Sequence, residues 1–344
     1  MTKSVNVCAR TGRTGKSAAR KKCAGGRKGS AKRNIKSAFL LAALVLFSAA
    51  LIANPEKYIA KCAEGIVLWA QCVLPAMFPF MVVCALLVNS GLAEKLSAPL
   101  ARAGGVFKLP ASAGIAFLMS VSSGYPAGSR TVSQFYTSGM CGKEACRKLA
   151  CLCSTSGPLF LIGTVGVNMF SSPEDGAKLF AAHIAAVAAV GLAISLCGRK
   201  LNPGNRPALT EKGSDVLYES FYSSVSAALS AGAFIAFFYT AAAMIQDFYI
   251  LYPVEKLLSV FTGEEIARAV CTGLVEMTGG CAALAKCGGP LAIPFAGFLV
   301  TFGGACVLLQ QLSYLTKAGV RAAPFAAAKF AQGCLCFLIL LLWQ

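Results

Sequence analysis

The chain has 344 residues, 56% of them apolar and only 13% charged, with a mean hydropathy of +0.66. Soluble domains carry about 25% charged residues, and a chain of this length could bury a large core but could not clothe its surface with so few charges. Water-soluble folds are therefore excluded, and an all-α integral membrane protein is predicted.

The net charge of +18 is unevenly placed: residues 1–36 hold twelve Lys/Arg and no acid. This Gly/Ser/Lys-rich segment is expected to be a disordered cytoplasmic tail. A nucleic-acid arm is the competing reading, but an apolar span follows directly and favours a positive-inside anchor. Residues 12–17 (GRTGKS) imitate a phosphate loop, yet position 10 is Arg10 where that motif needs Gly, and no strand precedes it.

Residues 37–53 are uncharged and read as a first transmembrane helix. A first repeat, 54–197, follows. Residues 55–92 begin amphipathic and meet Pro75 and Pro79, the pattern of a Pro-broken span. Residues 111–139 carry a polar Gly/Pro tip at 122–128 (SSGYPAG) between two helices too short to span, which predicts a re-entrant hairpin. A span over 149–170 is interrupted at 154–158 (STSGP), and 177–197 is an ordinary span. Residues 198–215 form a basic linker. The second repeat, 216–344, has a span at 221–246, a hairpin at 266–289 broken around Glu276, a span at 290–315 carrying Gly303 and Gly304, and a last span at 325–343.

Lys/Arg placement tests this order. With the N-terminus in the cytoplasm, the inside segments 1–36, 93–109, 140–148, 198–215 and 316–323 hold 24 of the 32 Lys/Arg, whereas 171–176 and 247–265 hold one Lys and six acids. Seven spans and two hairpins then give an inverted-topology repeat of span, re-entrant hairpin, span, span, preceded by one extra N-terminal helix. Broken elements at mid-membrane are a device of secondary transporters. Nine full crossings are the alternative; the polar tips favour hairpins.

Polar groups inside apolar runs are the candidate site. Glu276 is the sole formal charge between 269 and 285. An acid there costs about 2.5–3.5 kcal/mol on insertion scales, so it either binds a proton or cation or forms an architectural ion pair, for example with Arg130. Ser122, Ser123, Gly124, Tyr125, Pro126 and Gly128 form the first tip, where amides at a helix start could face an anion; the competing reading is tight helix packing. Ser154, Thr155, Ser156 and Gly157 form the interruption of the next span. Thr278 and Gly279 flank Glu276. Of Gln310 and Gln311, one structural hydrogen bond is expected, with Gln310 assigned to the site. Asn168 and His183 are placed near span ends. The sixteen cysteines lie mostly in apolar runs and read as small hydrophobes. With one His and no CxxC pair, no metal or cofactor is expected, and no hydrolase motif suggests an enzyme.

Residues 73–80 (VLPAMFPF), 123–128 (SGYPAG), 155–160 (TSGPLF) and 273–279 (GLVEMTG) resemble the sporulation integral membrane protein family (YlbJ-like, stage V sporulation), over roughly 58–343. That family is grouped with the nucleoside-recognition or Gate domain proteins, which resemble concentrative nucleoside transporters. The resemblance implies a transporter-like fold with two hairpin tips and an unwound helix at a central site. Its implied cargo is dipicolinic acid, moved toward the forespore across the outer forespore membrane. Those nucleoside transporters have Gln-Thr-Glu where this chain has Tyr125-Pro126-Ala127, so nucleoside and sodium ligation do not carry over. The expected partners are the lipid bilayer, a small-molecule substrate and a coupling proton or cation; homo-oligomerisation is left open and no nucleic acid is expected. The competing functions are a non-transporting scaffold of spore or envelope assembly and a nucleoside transporter.

Overall fold

A computed structural model of the protein describes residues 37–38, 40–92, 112–137, 139, 141–197 and 215–344. The basic tail 1–36 and most of the linker 198–215 lie outside the described residues. The chain divides into two compact units, one ending at Pro55 and one running from Glu56 to Gln344. The first contains the apolar helix α1 (Leu40–Ala53); the second contains the site.

Among the described residues the second unit is helical throughout, without a strand. Its helices are α2 (Pro55–Asn89, whose first residue closes the first unit), α3 (Ser112–Ser123), α4 (Ala127–Thr137), α5 (Lys143–Leu152), the π-helical α6 (Leu159–Met169), α7 (Pro173–Cys197) and α8 (Val216–Asp247). They continue with α9 (Tyr252–Thr262), α10 (Glu264–Val275), α11 (Met277–Cys287), α12 (Ala292–Phe302), α13 (Gly304–Leu315) and α14 (Ala322–Leu342). Among the described residues five stretches are long and apolar enough to cross a bilayer: α2, α7, α8, α12 continued by α13, and α14. This is an all-helical, membrane-spanning architecture.

Helix α2 differs from the Pro-broken expectation. Pro75 has no N–H for the Gln71 carbonyl, and its ring would press on that carbonyl. A π-helical stretch, Trp69–Val73, precedes it and widens the turn, so the chain runs on through Pro75 and Pro79. Gly232 on α8 leaves the room into which the Trp69 ring packs.

The other breaks fall where Gly and Pro punctuate apolar sequence. Between α3 and α4 the chain turns at Gly124, whose φ is +70° and whose missing Cβ would stand 2.9 Å from the Gly157 amide nitrogen. Both the turn and the close approach need glycine there. Between α5 and α6 residues 154–157 are unwound, ending at Pro158, which disfavours helix in the residue before it. The helix running from 292 to 315 breaks at Gly303, at φ +92°.

Two apolar clusters surround these breaks. One joins α6, α7, α11, α12 and α14 through Leu161, Leu179, Leu284, Leu299 and Cys336; the other joins α3, α4, α5 and α13 through Ala116, Val132, Leu149 and Leu315. Large apolar side chains such as Leu217, Phe221 and Leu229 on α8 face outward, where bilayer lipid is the matching solvent.

Candidate functional site

A break in a buried helix strands backbone groups that water cannot satisfy inside a membrane. Here, side chains from other elements satisfy four of them. The Cys151 carbonyl accepts from Gln332 Nε2 at 2.9 Å, and the Cys153 carbonyl from Ser120 Oγ at 2.6 Å. Since the Ser120 proton is spent on Cys153, the 2.8 Å contact between Ser120 and Thr155 has Thr155 Oγ1 as donor. The Ser154 carbonyl accepts from Lys329 Nζ at 2.7 Å. The Ser156 N–H donates to His183 Nε2 at 3.0 Å.

That last bond fixes the imidazole. Nε2 accepts, so the ring proton sits on Nδ1 and is donated to Thr301 Oγ1 at 2.9 Å. His183 is fully buried and lies ten residues, about 15 Å, into α7. The expectation of an interfacial His183 is therefore corrected: α7 begins earlier than the apolar run suggested, at Pro173, which moves the ring to mid-helix.

Lys329 is the one charge in the last span, 325–343, and the sequence pattern assigns it no role. It is fully buried on α14. Besides Ser154, its Nζ donates to Tyr125 Oη at 2.9 Å and stands 5.1 Å from the centre of the Tyr125 ring. Tyr125 Oη is in turn 3.3 Å from the carbonyls of Val300 and Thr301, at the end of α12. Among the described residues no carboxylate lies within ion-pair distance of Lys329.

Glu276 does not form the ion pair with Arg130 that the sequence suggested. Arg130 donates to the Ser223 carbonyl at 2.7 Å instead of pairing with it. Glu276 is the N-cap of α11: Oε1 accepts from the Thr278 N–H at 2.9 Å and Oε2 from the Gly279 N–H at 2.6 Å. The carboxylate thus occupies the positive end of its own half-helix.

The breaks meet around a small cavity of about 30 Å³, lined by Gly124 and Tyr125 from the first tip, Ser156 and Gly157 from the unwound segment, Thr278 from the second tip and Gln310 from α13. Ala231 and Ile235 of α8 close its apolar side. Among the described residues three buried amide atoms have no partner, Gln310 Nε2, Gln311 Nε2 and Gln332 Oε1, and of these residues only Gln310 lines the cavity.

The remaining expected site residues do not line this cavity. Ser122 and Ser123 return their hydroxyls to the Leu118 and Met119 carbonyls. Ser154 Oγ donates to Gln311 Oε1, which also takes Ser129 Oγ at 3.0 Å, the structural glutamine bond the sequence suggested. Thr155 is engaged with Ser120 as above. Gly128 packs against the Cys153 carbonyl, and Gly279 against the Tyr239 ring. Pro126 completes the first tip. A larger cavity of about 330 Å³ lies beside the ends of α8 and α10, lined by Asp247, Glu255 and Arg268. Its ions are already paired, Lys57 with Asp247 and Arg268 with Glu255, and none of the expected site residues lines it.

No family model and no solved structure matches the chain. A curated relative, the "Sporulation integral membrane protein YlbJ" of Bacillus subtilis (strain 168), is 26% identical over an alignment 343 positions long, gaps included, which covers 89% of this chain and 82% of the relative. Over most of its length this all-helical, membrane-spanning chain is thus similar to a sporulation integral membrane protein.

Proposed function

We propose that this protein is a secondary transporter or facilitator of a small polar or anionic metabolite in a bacterial cell membrane. Dipicolinic acid is the first compound to try, given the resemblance to sporulation membrane proteins. The observation that carries the reading is Gln310: a buried amide with an unused donor, facing the one place where both hairpin tips and an unwound helix meet. An unmet buried donor costs about 1–3 kcal/mol, a cost a substrate oxygen would remove.

The element order supports alternating access. After α1, span α2, hairpin α3/α4, broken helix α5–α6 and span α7 are followed by span α8, hairpin α10/α11, broken helix α12–α13 and span α14. Three crossings in the first set invert the second relative to it. The Lys/Arg distribution supports a cytoplasmic N-terminus. A cavity of about 30 Å³ holds two or three waters, whereas ligand sites run to about 300–1,000 Å³. The state described here is thus closed, and substrate entry requires a hairpin to move.

The test is uptake of radiolabelled dipicolinate and nucleosides into proteoliposomes. Gln310→Leu is expected to weaken half-saturation about tenfold, the effect of losing roughly 1.4 kcal/mol, while leaving the unfolding temperature unchanged or raised. The small closed cavity also fits a non-transporting scaffold of spore or envelope assembly. Absence of uptake by folded protein, with a deletion phenotype indifferent to Gln310 and Tyr125, would establish that reading instead.

A further inference from the structure

The surroundings of Lys329 consist of acceptors. Tyr125 Oη has its proton directed at the Val300 and Thr301 carbonyls, so it offers lone pairs to Nζ, and Ser154 offers a carbonyl. The ring face of Tyr125 is a third electron-rich surface. No donor is directed at Nζ, so the arrangement suits a cation and leaves a neutral amine's lone pair unused.

The position is also electrostatically special. Helix α5 ends at Leu152 and α12 at Phe302, so two half-helix C-termini, each the negative end of a dipole, converge on this point. Unwound carbonyls and half-helix C-termini are the groups with which broken-helix transporters hold a coupling cation. Here the side chain of α14 already fills that place, fully buried and with no carboxylate to neutralise it among the described residues.

We propose that the Lys329 ammonium is a tethered cation occupying a monovalent-cation position formed by the Ser154 carbonyl and Tyr125 Oη, and that the protein consequently has no need of sodium. The second half rests on the transport reading; the first does not. By joining the first hairpin tip to the unwound segment and to α14, the tethered charge does permanently what a bound ion would do transiently.

The test separates the two halves. Unfolding of purified protein is followed with a fluorogenic thiol dye, in 150 mM sodium, potassium or N-methylglucamine chloride, without substrate. Wild type is expected to unfold at one temperature in all three. Lys329→Ala is expected to be destabilised in N-methylglucamine and to recover by about 2 °C or more in sodium or potassium, through binding linkage. Lys329→Met, which keeps the stem but carries no charge, is expected to lose stability and to respond to neither ion. Wild type stabilised selectively by sodium would overturn the proposal, as would Lys329→Met as stable as wild type, or a folded Lys329→Ala indifferent to the ions. If Lys329→Ala yields no folded protein, wild type and Lys329→Met still decide. Wild-type uptake is then expected to be equal in sodium and N-methylglucamine; absence of any uptake counts against the transport reading and leaves the stability result standing.

Discussion

Gly280→Ala is expected to be the most damaging single-methyl change in the second hairpin, lowering stability by about 3 kcal/mol or more. A Cβ at 280 would lie 2.2 Å from the Gly273 Cα and 2.6 Å from its amide nitrogen. The obstacle is backbone, so no rotamer change relieves it, and α10 and α11 must separate. Overpacked cores lose about 1–3 kcal/mol, occasionally more, and a rigid backbone contact belongs at the upper end. Leu299 of α12 would stand 3.1 Å away and blocks one direction of relief. Gly163→Ala is the matched control: nothing lies within 4 Å of its added methyl, and within a helix alanine is the better residue by up to about 1 kcal/mol. Unfolding in detergent, read by a thiol dye as buried cysteines become exposed, compares the two. Gly280→Ala melting within a degree or two of wild type would mean the hairpin arms do not approach each other at this point.

The breaks were legible because their signal is local. Gly124 with Pro126 and Ser154 to Pro158 interrupt apolar runs that a spanning helix would otherwise continue, and the structure breaks at both; the break at Gly303 falls inside what the sequence reads as one span, 290–315. Glu276 was legible for the same reason, as one charge in an apolar run, although its role as a cap depends on the turn it sits in. Lys329 carried an equal signal and was passed over, since averaging over 325–343 makes a convincing span despite it. Its partners are 204 and 175 residues away in the chain, as His183 is 118 residues from Thr301; such pairings follow from packing, and no local pattern encodes them. The π-helical stretch before Pro75 was likewise invisible, because the sequence shows that a proline must be accommodated but not how.

Glu276→Leu is expected to destabilise the protein by about 2–6 kcal/mol, and Glu276→Gln by roughly half as much. Leucine leaves the Thr278 and Gly279 amides buried without an acceptor, at about 1–3 kcal/mol each. A leucine also inserts into a bilayer more readily than an acid does, but that gain acts on the inserted chain whether or not the hairpin has packed. It therefore largely cancels, and the amide cost decides the sign. Glutamine keeps one acceptor oxygen and turns an NH2 on the other amide, so one of the two bonds survives. Cys281 and Cys306, both fully buried, give thiol-dye unfolding a reporter close to the cap. The same pair of variants separates a cap from a proton carrier: a carrier replaced by glutamine loses the pH dependence of uptake at unchanged stability, and leucine in its place need not unfold the hairpin. Glu276→Leu as stable as wild type would remove the capping account and return this carboxylate to the transport chemistry.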